Sequence, residues 1–194
     1  MKSTRDLLLA HNYKALHLSG FQGLRTDKVL SELQITKGAF YHYFPDKLSL
    51  GYAIIDEILN PVYLNLWKKT EENPENPIAS ITNLLAHLQT QILKSDEDAK
   101  LGCPLNNLIQ EMAPLDEGFR NRLQFIVAEQ RRMLANAFRN AQKKRLINNE
   151  SDPDDLAIFV LSAVEGSFTM AKALQSKKAF DQCINQLNNW LTTL

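Results

Sequence analysis

Apolar residues return every three to four positions along nearly the whole chain. This is the period of helices that bury one side, not the two-residue alternation of strands. Ser3 or Thr4 can cap a first helix whose stripe includes Leu9 and Leu16, and Gly20 ends it. Thr26 is placed to cap a short helix through Leu33, and a second short helix runs from Thr36 to Phe44, where Pro45 stops it. Asp46 opens a longer helix to about Asn60, and Pro61, lacking an amide donor, kinks or ends it before Tyr63, Leu64 and Trp67. The polar stretch Glu71–Pro77, with its two prolines, reads as the boundary between two parts of the chain, and Pro77 starts a helix to about Lys94. The pattern then predicts a loop from Ser95 to Gly102, a short helix after Pro104, a break at Pro114 and a long helix from Asp116 to about Arg145. Asp152-Pro153 starts a helix that is apolar nearly all round, which calls for cover on two sides. The last helix repeats Phe180, Ile184, Leu187, Leu191 and Leu194 at four-three spacing, a packing seam. The fold class is all-α.

Composition narrows the function. The 194 residues balance 22 Lys and Arg against 22 Asp and Glu, which argues against a polybasic protein holding nucleic acid by bulk charge. The charge is unevenly spread. Residues 1–50 hold seven basic and four acidic side chains, a net +3, so the remainder carries −3. Apolar runs fall far short of the ~18 residues a membrane span needs. Leu7-Leu8-Leu9-Ala10 is also too short for a secretory core of roughly 7–15 residues, so a soluble cytoplasmic protein without membrane partners is expected. Cys103 and Cys183 make no disulfide framework. The four histidines (His11, His17, His42, His87) show no metal-ligand spacing with them, so neither metal nor cofactor is expected. The glycine patterns of nucleotide-binding enzymes are absent. Acidic runs such as Asp96-Glu97-Asp98 and Asp152–Asp155 suit loops and helix caps, so the chain does not read as an enzyme.

Two short helices joined by a tight turn have helix-turn-helix dimensions. On the second, Phe40 and Phe44 share the side that anchors it. Gly38, Ala39 and His42, flanked by Lys37, Tyr41 and Tyr43, share the other. Small residues there let the backbone approach a groove floor, while lysine, phenol and imidazole groups reach phosphates. Thr36 can cap this helix or donate to a phosphate. Periodicity alone leaves a packed helical hairpin without DNA affinity equally open.

The residues Ile35-Thr36-Lys37-Gly38-Ala39-Phe40-Tyr41-His42-Tyr43-Phe44-Pro45-Asp46-Lys47 resemble the recognition-helix signature of tetracycline-repressor-like (TetR/AcrR) regulators. Gly20-Phe21, Gly23-Leu24-Arg25 and Thr26 are similar to that family's link between its first two helices. The resemblance is close over residues 3–60 and looser beyond. It implies a three-helix DNA-binding domain at 1–60, with its motif at about 25–44, and a helical ligand-binding and dimerisation domain at 61–194. By the same resemblance Thr26, Thr36, Tyr41, Tyr43 and Lys47 meet phosphates, and Lys37, Gly38, Ala39, Tyr41 and His42 meet base edges or the flanking backbone. Arg25 matches a less fixed position, a DNA contact or a surface residue. Gln34 departs from the family's usual turn glycine, at ~1 kcal/mol if the backbone there is left-handed.

The family implies a homodimer whose recognition helices enter successive major grooves, ~34 Å apart on a near-palindromic double-stranded operator. A small-molecule inducer in the helical body releases the DNA. Repression is the expected outcome, although the promoter's position relative to the operator decides it. The rival from another class is an all-α dimeric interaction module without specific DNA binding.

In the body, an apolar cavity with a few polar groups draws on Tyr63, Trp67, His87, Gln91, Asn107, Gln110, Phe125, Met133 and Phe168, each of which also reads as packing. Glu165 interrupts an apolar helix, so it pairs with a cation at a dimer contact or faces a cationic ligand. Gly102-Cys103-Pro104-Leu105 is similar to a segment of the regulators that sense electrophiles through a cysteine. Cys103 precedes a helix start, where the dipole favours thiolate. It is equally a small core residue, and thiol-reactive compounds are one candidate inducer class. Leu156, Phe159, Val160, Ala163, Val164, Phe168, Ile184, Leu187, Trp190 and Leu191 are dimer-interface candidates, several also serving the core.

Overall fold

The computed structural model describes residues 3–194. Its helices are α1 (Thr4–Gly23), α2 (Thr26–Leu33), α3 (Lys37–Tyr43), α4 (Lys47–Ile54), α5 (Asn60–Trp67), α6 (Pro77–His87), α7 (Asp96–Leu101), α8 (Pro104–Met112), α9 (Glu117–Lys143), α10 (Pro153–Leu174) and α11 (Lys177–Leu191). No strand occurs among the described residues. Among the described residues, those up to 61 together with 104–125 form one compact unit, and residues 62–103 and 126–194 a second. The stretch 104–125 belongs to the N-terminal unit, a long-range association that leaves no trace in local pattern.

Most boundaries follow from capping. Ser3 accepts from the Asp6 amide, and Asp6 returns a bond to the Ser3 amide, closing a capping box. Gly20 breaks α1 with φ 74° and ψ 171°, a conformation glycine adopts without a Cβ clash. Thr36, Asp46, Asn76, Asp152 and Ser176 cap α3, α4, α6, α10 and α11. Two expectations need correction. Thr26 is the first residue of α2, and Arg25 holds the cap position without a side-chain bond. The stretch 95–102 is not a loop throughout: Ser95 and Asp98 form a second capping box that starts α7, and the acidic run supplies its first turn. At Pro61, of the two alternatives, kink or end, the helix does not end. A π-helical turn over Ile55–Leu59 precedes it and α5 continues to Trp67.

In the first unit α1 lies against α2, α3, α4 and α8. Phe21 and Phe119 meet with ring centroids 4.7 Å apart, and Gly51 on α4 makes room for both. A Cβ at Gly51 would lie 2.5 Å from Phe119 Cζ and 2.6 Å from Phe21 Cε2. Helix propensity alone would reward Gly51→Ala by about 1 kcal/mol. Overpacking opposes it, and a net loss of about 1–3 kcal/mol is expected. Thermal unfolding of the variant checks the sign: an unchanged or raised midpoint would mean that the two rings yield freely.

In the second unit α10 packs along α11, with α6 and α7 beside them. The segment Pro153–Leu174 has the length and hydropathy of a membrane span. Leu156, Ala157, Val160, Leu161, Val164, Phe168 and Ala171 nevertheless share one buried face, as in the core helix of a soluble protein. Val160, Val164, Ile184 and Leu191, read above as interface candidates, are 0–2% exposed, so they fill this core and offer nothing to a second copy. Leu156, Leu187 and Phe168 are buried as well, the last with its ring centroid 4.7 Å from that of Phe180. Phe159 is half exposed, and Ala163 and Trp190 are partly exposed.

Candidate nucleic-acid interface

The reading surface begins at the turn. Gln34 takes φ 56° and ψ 35°, the left-handed conformation in which glycine is cheapest, and the Gln34 and Ile35 amides close α2 onto Ser31 and Leu30 carbonyls. Thr36 is then extended and accepts from the Ala39 amide at 3.2 Å, so its hydroxyl caps α3. Phe40 and Phe44 are buried with rings 5.7 Å apart, and the Arg5 guanidinium stands 5.3 Å over Phe44. The anchored side of α3 is therefore the one the spacing predicts. Lys37, Gly38, Tyr41, His42 and Tyr43 are exposed, with Ala39 half-buried behind them.

Lys37 is not a bare charge. Its ammonium bonds Asp27 on α2 at 3.0 Å, and this bond raises the lysine pKa. A phosphate must displace or join that exposed pair, which is weak in water. Arg25 is exposed and Thr26 half-buried at the start of α2. Lys47, the first residue of α4, is half-buried. Its Nζ donates to the Gln22 carbonyl at 3.2 Å and lies 5.0 Å over the Phe21 ring. Burial lowers its pKa, and the negative charge of Glu111 opposes that. Asp27, Arg5 and Glu111 were not visible as site residues in the sequence, because their roles depend on distant partners: Asp27 on Lys37, Arg5 on Phe44 and on Glu57, which it bonds 52 positions away, and Glu111 on Phe21, 90 positions away.

The described chain thus carries a two-helix unit with one aromatic side sunk into a small helical head and a small-residue, hydroxyl-rich side exposed. Residues 3–53 match the profile of bacterial regulatory proteins of the tetR family, and residues 78–187 match the tetracyclin repressor-like C-terminal domain. The chain belongs to the TetR family. It is a DNA-binding transcriptional regulator, not an enzyme. AcuR, a transcriptional regulator of Cereibacter sphaeroides, is 28% identical over 153 residues, covering 79% of this chain and 69% of its own. The transcriptional repressor NemR of Escherichia coli K12 is 22% identical over 191 residues, covering 98% and 94%. The crystal structure of a regulatory protein TetR from Rhodobacter sphaeroides superposes with TM-score 0.81 at 25% identity, covering 94% of this chain and 96% of that one.

The C-terminal part of this TetR-family chain holds a second cluster. Tyr63 Oη lies 3.1 Å from Cys103 Sγ, and both residues are buried. Glu165 on α10 also hydrogen-bonds Cys103; burial raises its pKa to about 7, and the thiol bond opposes the rise. The residue keeps some exposed surface, but its Oε2 is sealed from solvent. Of the cavity candidates, Tyr63, Cys103 and Glu165 are brought together. Trp67, Met133 and Phe168 are buried, His87 is half-buried and Gln91 is exposed. Asn107, Gln110 and Phe125 fall in the first unit, where Gln110 donates to Asn106 and Phe125 is 52% exposed.

Along α10 and α11 a groove of about 690 Å³ is lined by Phe159, Ala163, Gly166, Met170, Cys183 and Trp190, among others. Phe159 and Trp190 meet edge-to-face on its wall, with ring centroids 4.6 Å apart. Cys183, which by its place on the terminal helix reads as a packing residue, is instead exposed on this groove, and Gly166 and Met170 join it there because exposure of an apolar side chain is settled only by packing.

Proposed function

We propose that this regulator is a cytoplasmic homodimeric repressor, released from a near-palindromic operator when a small molecule engages its C-terminal unit. The observation that carries the reading is the exposed face of α3, where Lys37, Gly38, Tyr41 and His42 stand free of the core that holds Phe40 and Phe44. Lys37, Gly38, Ala39, Tyr41 and His42 meet base edges or the adjoining backbone. Thr26, Thr36, Tyr41, Tyr43 and Lys47 bind phosphates, and Arg25 extends that contact at the start of α2. Repression is supported by the relatives named as repressors, NemR among them.

The groove along α10 and α11 supports self-association: a second copy presenting the same face buries Phe159, Met170 and Trp190 together. Phe159→Glu places a charge there without touching the inner face of α10. The expected result is a monomer by sedimentation, with operator affinity down at least ~100-fold because two half-sites no longer bind as one unit. A variant that remains dimeric would move the interface elsewhere.

Thiol-reactive compounds are the inducer class that the Tyr63–Cys103–Glu165 cluster supports. The thiol sits between a phenol and a carboxyl group that can take up its proton as sulfur attacks an electrophilic carbon. The deciding experiment is selection of genomic fragments by the purified protein across a salt series, before and after treatment with N-ethylmaleimide. Recovery of one near-palindromic site at moderate salt, lost on treatment but retained by a Cys103→Ser variant, is the expected outcome. Salt-labile recovery without a motif would put the interaction-module reading first.

A further inference from the structure

The turn between α1 and α2 is held by a residue far away in the chain. Glu111, near the end of α8, accepts the Phe21 amide on Oε2 and the Gln22 amide on Oε1, each at 2.8 Å. Two adjacent backbone donors on one carboxylate form a bidentate, charge-assisted clamp. Gly20 makes the approach possible, since a Cβ there would lie 2.8 and 2.9 Å from the two carboxylate oxygens. Gln22 is gripped on its other side as well, its carbonyl receiving Lys47 Nζ at 3.2 Å. The Lys47 ammonium rests over the ring of Phe21, the other residue in the clamp. The clamped segment runs directly into Leu24, Arg25 and Thr26, where α2 begins.

We propose that Glu111 is a positioning residue for operator binding, acting through Phe21 and Gln22 to hold Lys47 where it meets a DNA phosphate. The proposal rests on the reading of Lys47 as a phosphate contact. Glu111 lies outside the matched DNA-binding segment, residues 3–53, and does not touch the exposed face of α3. Its effect is indirect. Without the carboxylate, the 21–22 peptide is free to shift, Lys47 loses both its carbonyl partner and its ring support, and the ammonium no longer arrives preorganised.

The test is a double-mutant cycle on a duplex carrying the selected operator sequence, with affinity measured across salt. Lys47→Ala is expected to cost about tenfold in affinity and to lower the slope of log K against log salt by about 0.9, the loss of one phosphate contact. Glu111→Gln retains the shape but can accept only one of the two amides. It is expected to reproduce most of both losses, and the double variant should bind no worse than Lys47→Ala alone. Gly20→Ala, which crowds the same carboxylate from the opposite side, should give the same signature if Glu111→Gln folds poorly. A merely structural role would lower affinity with the slope unchanged, or add to the loss from Lys47→Ala; either result overturns the proposal. If Lys47→Ala leaves the slope untouched, the phosphate reading of Lys47 fails, and the proposal fails with it.

Discussion

Gly38→Leu raises the stability of this protein and abolishes specific operator binding. In the folded chain a Cβ at position 38 meets only Thr36 Oγ1, at 4.0 Å, so a larger side chain has open space before it. Leucine is also a better helix former than glycine, by about 0.8 kcal/mol in a helix interior. The thermal midpoint should therefore rise by about 2 °C. On DNA the same side chain stands between the α3 backbone and the groove floor. Lifting the helix by the width of an isobutyl group breaks the contacts of Lys37, Tyr41 and His42 together. A loss of at least ~100-fold in specific affinity follows, about 2.7 kcal/mol. Unfolding scans and binding isotherms on an Ala, Val, Leu series would show stability and affinity moving in opposite directions. Binding within threefold of the parent for the leucine variant would mean that another face of α3 meets DNA.

Glu165→Gln changes stability in a pH-dependent way. The Glu165 carboxyl has its pKa raised from 4.5 to about 7 because burial penalises its charged form. A raised acid binds its proton more tightly in the folded than in the unfolded chain. Its contribution to stability is therefore complete below about pH 4.5 and is lost as pH rises through 7. Above that the ionised group costs about 3 kcal/mol. Glutamine carries no charge at any pH and still offers a carbonyl oxygen to the Cys103 thiol. The variant should match the parent near pH 4.5 and exceed it by up to about 3 kcal/mol at pH 8 and above, several degrees in unfolding temperature. Unfolding midpoints at half-unit pH steps measure the difference. A constant offset would mean that Glu165 is not the titrating group.

The helix-turn-helix was legible because its determinants are local. Phe40 and Phe44 are four residues apart and must share a side of any helix. Thr36 and Asp46 cap by bonding amides three residues ahead, and Pro45 ends what precedes it. The left-handed backbone at Gln34 was not legible in the residue itself; only the family's usual turn glycine hinted at it. The errors were also local in origin. Ser95–Gly102 looked like a loop because its acidic run was read as solvated, although Ser95 and Asp98 are spaced for a capping box. Dimer candidates taken from an all-round apolar helix mixed two faces, since periodicity cannot say which side of α10 its own chain covers.

Chain order determined the helical class, the second helix of the helix-turn-helix with its buried and exposed sides, and the caps that set most helix ends, because each depends on residues within one or two turns of one another. Only the tertiary structure decided which of two uses a residue serves. It placed Tyr63 and Glu165 on the Cys103 thiol, gave Val160 and Ile184 to the core while leaving Phe159 exposed, and set the Glu111 carboxylate on two amides 90 and 89 positions away. Such pairings need the chain to return on itself, and the packing that selects them is not written in the spacing of any one segment.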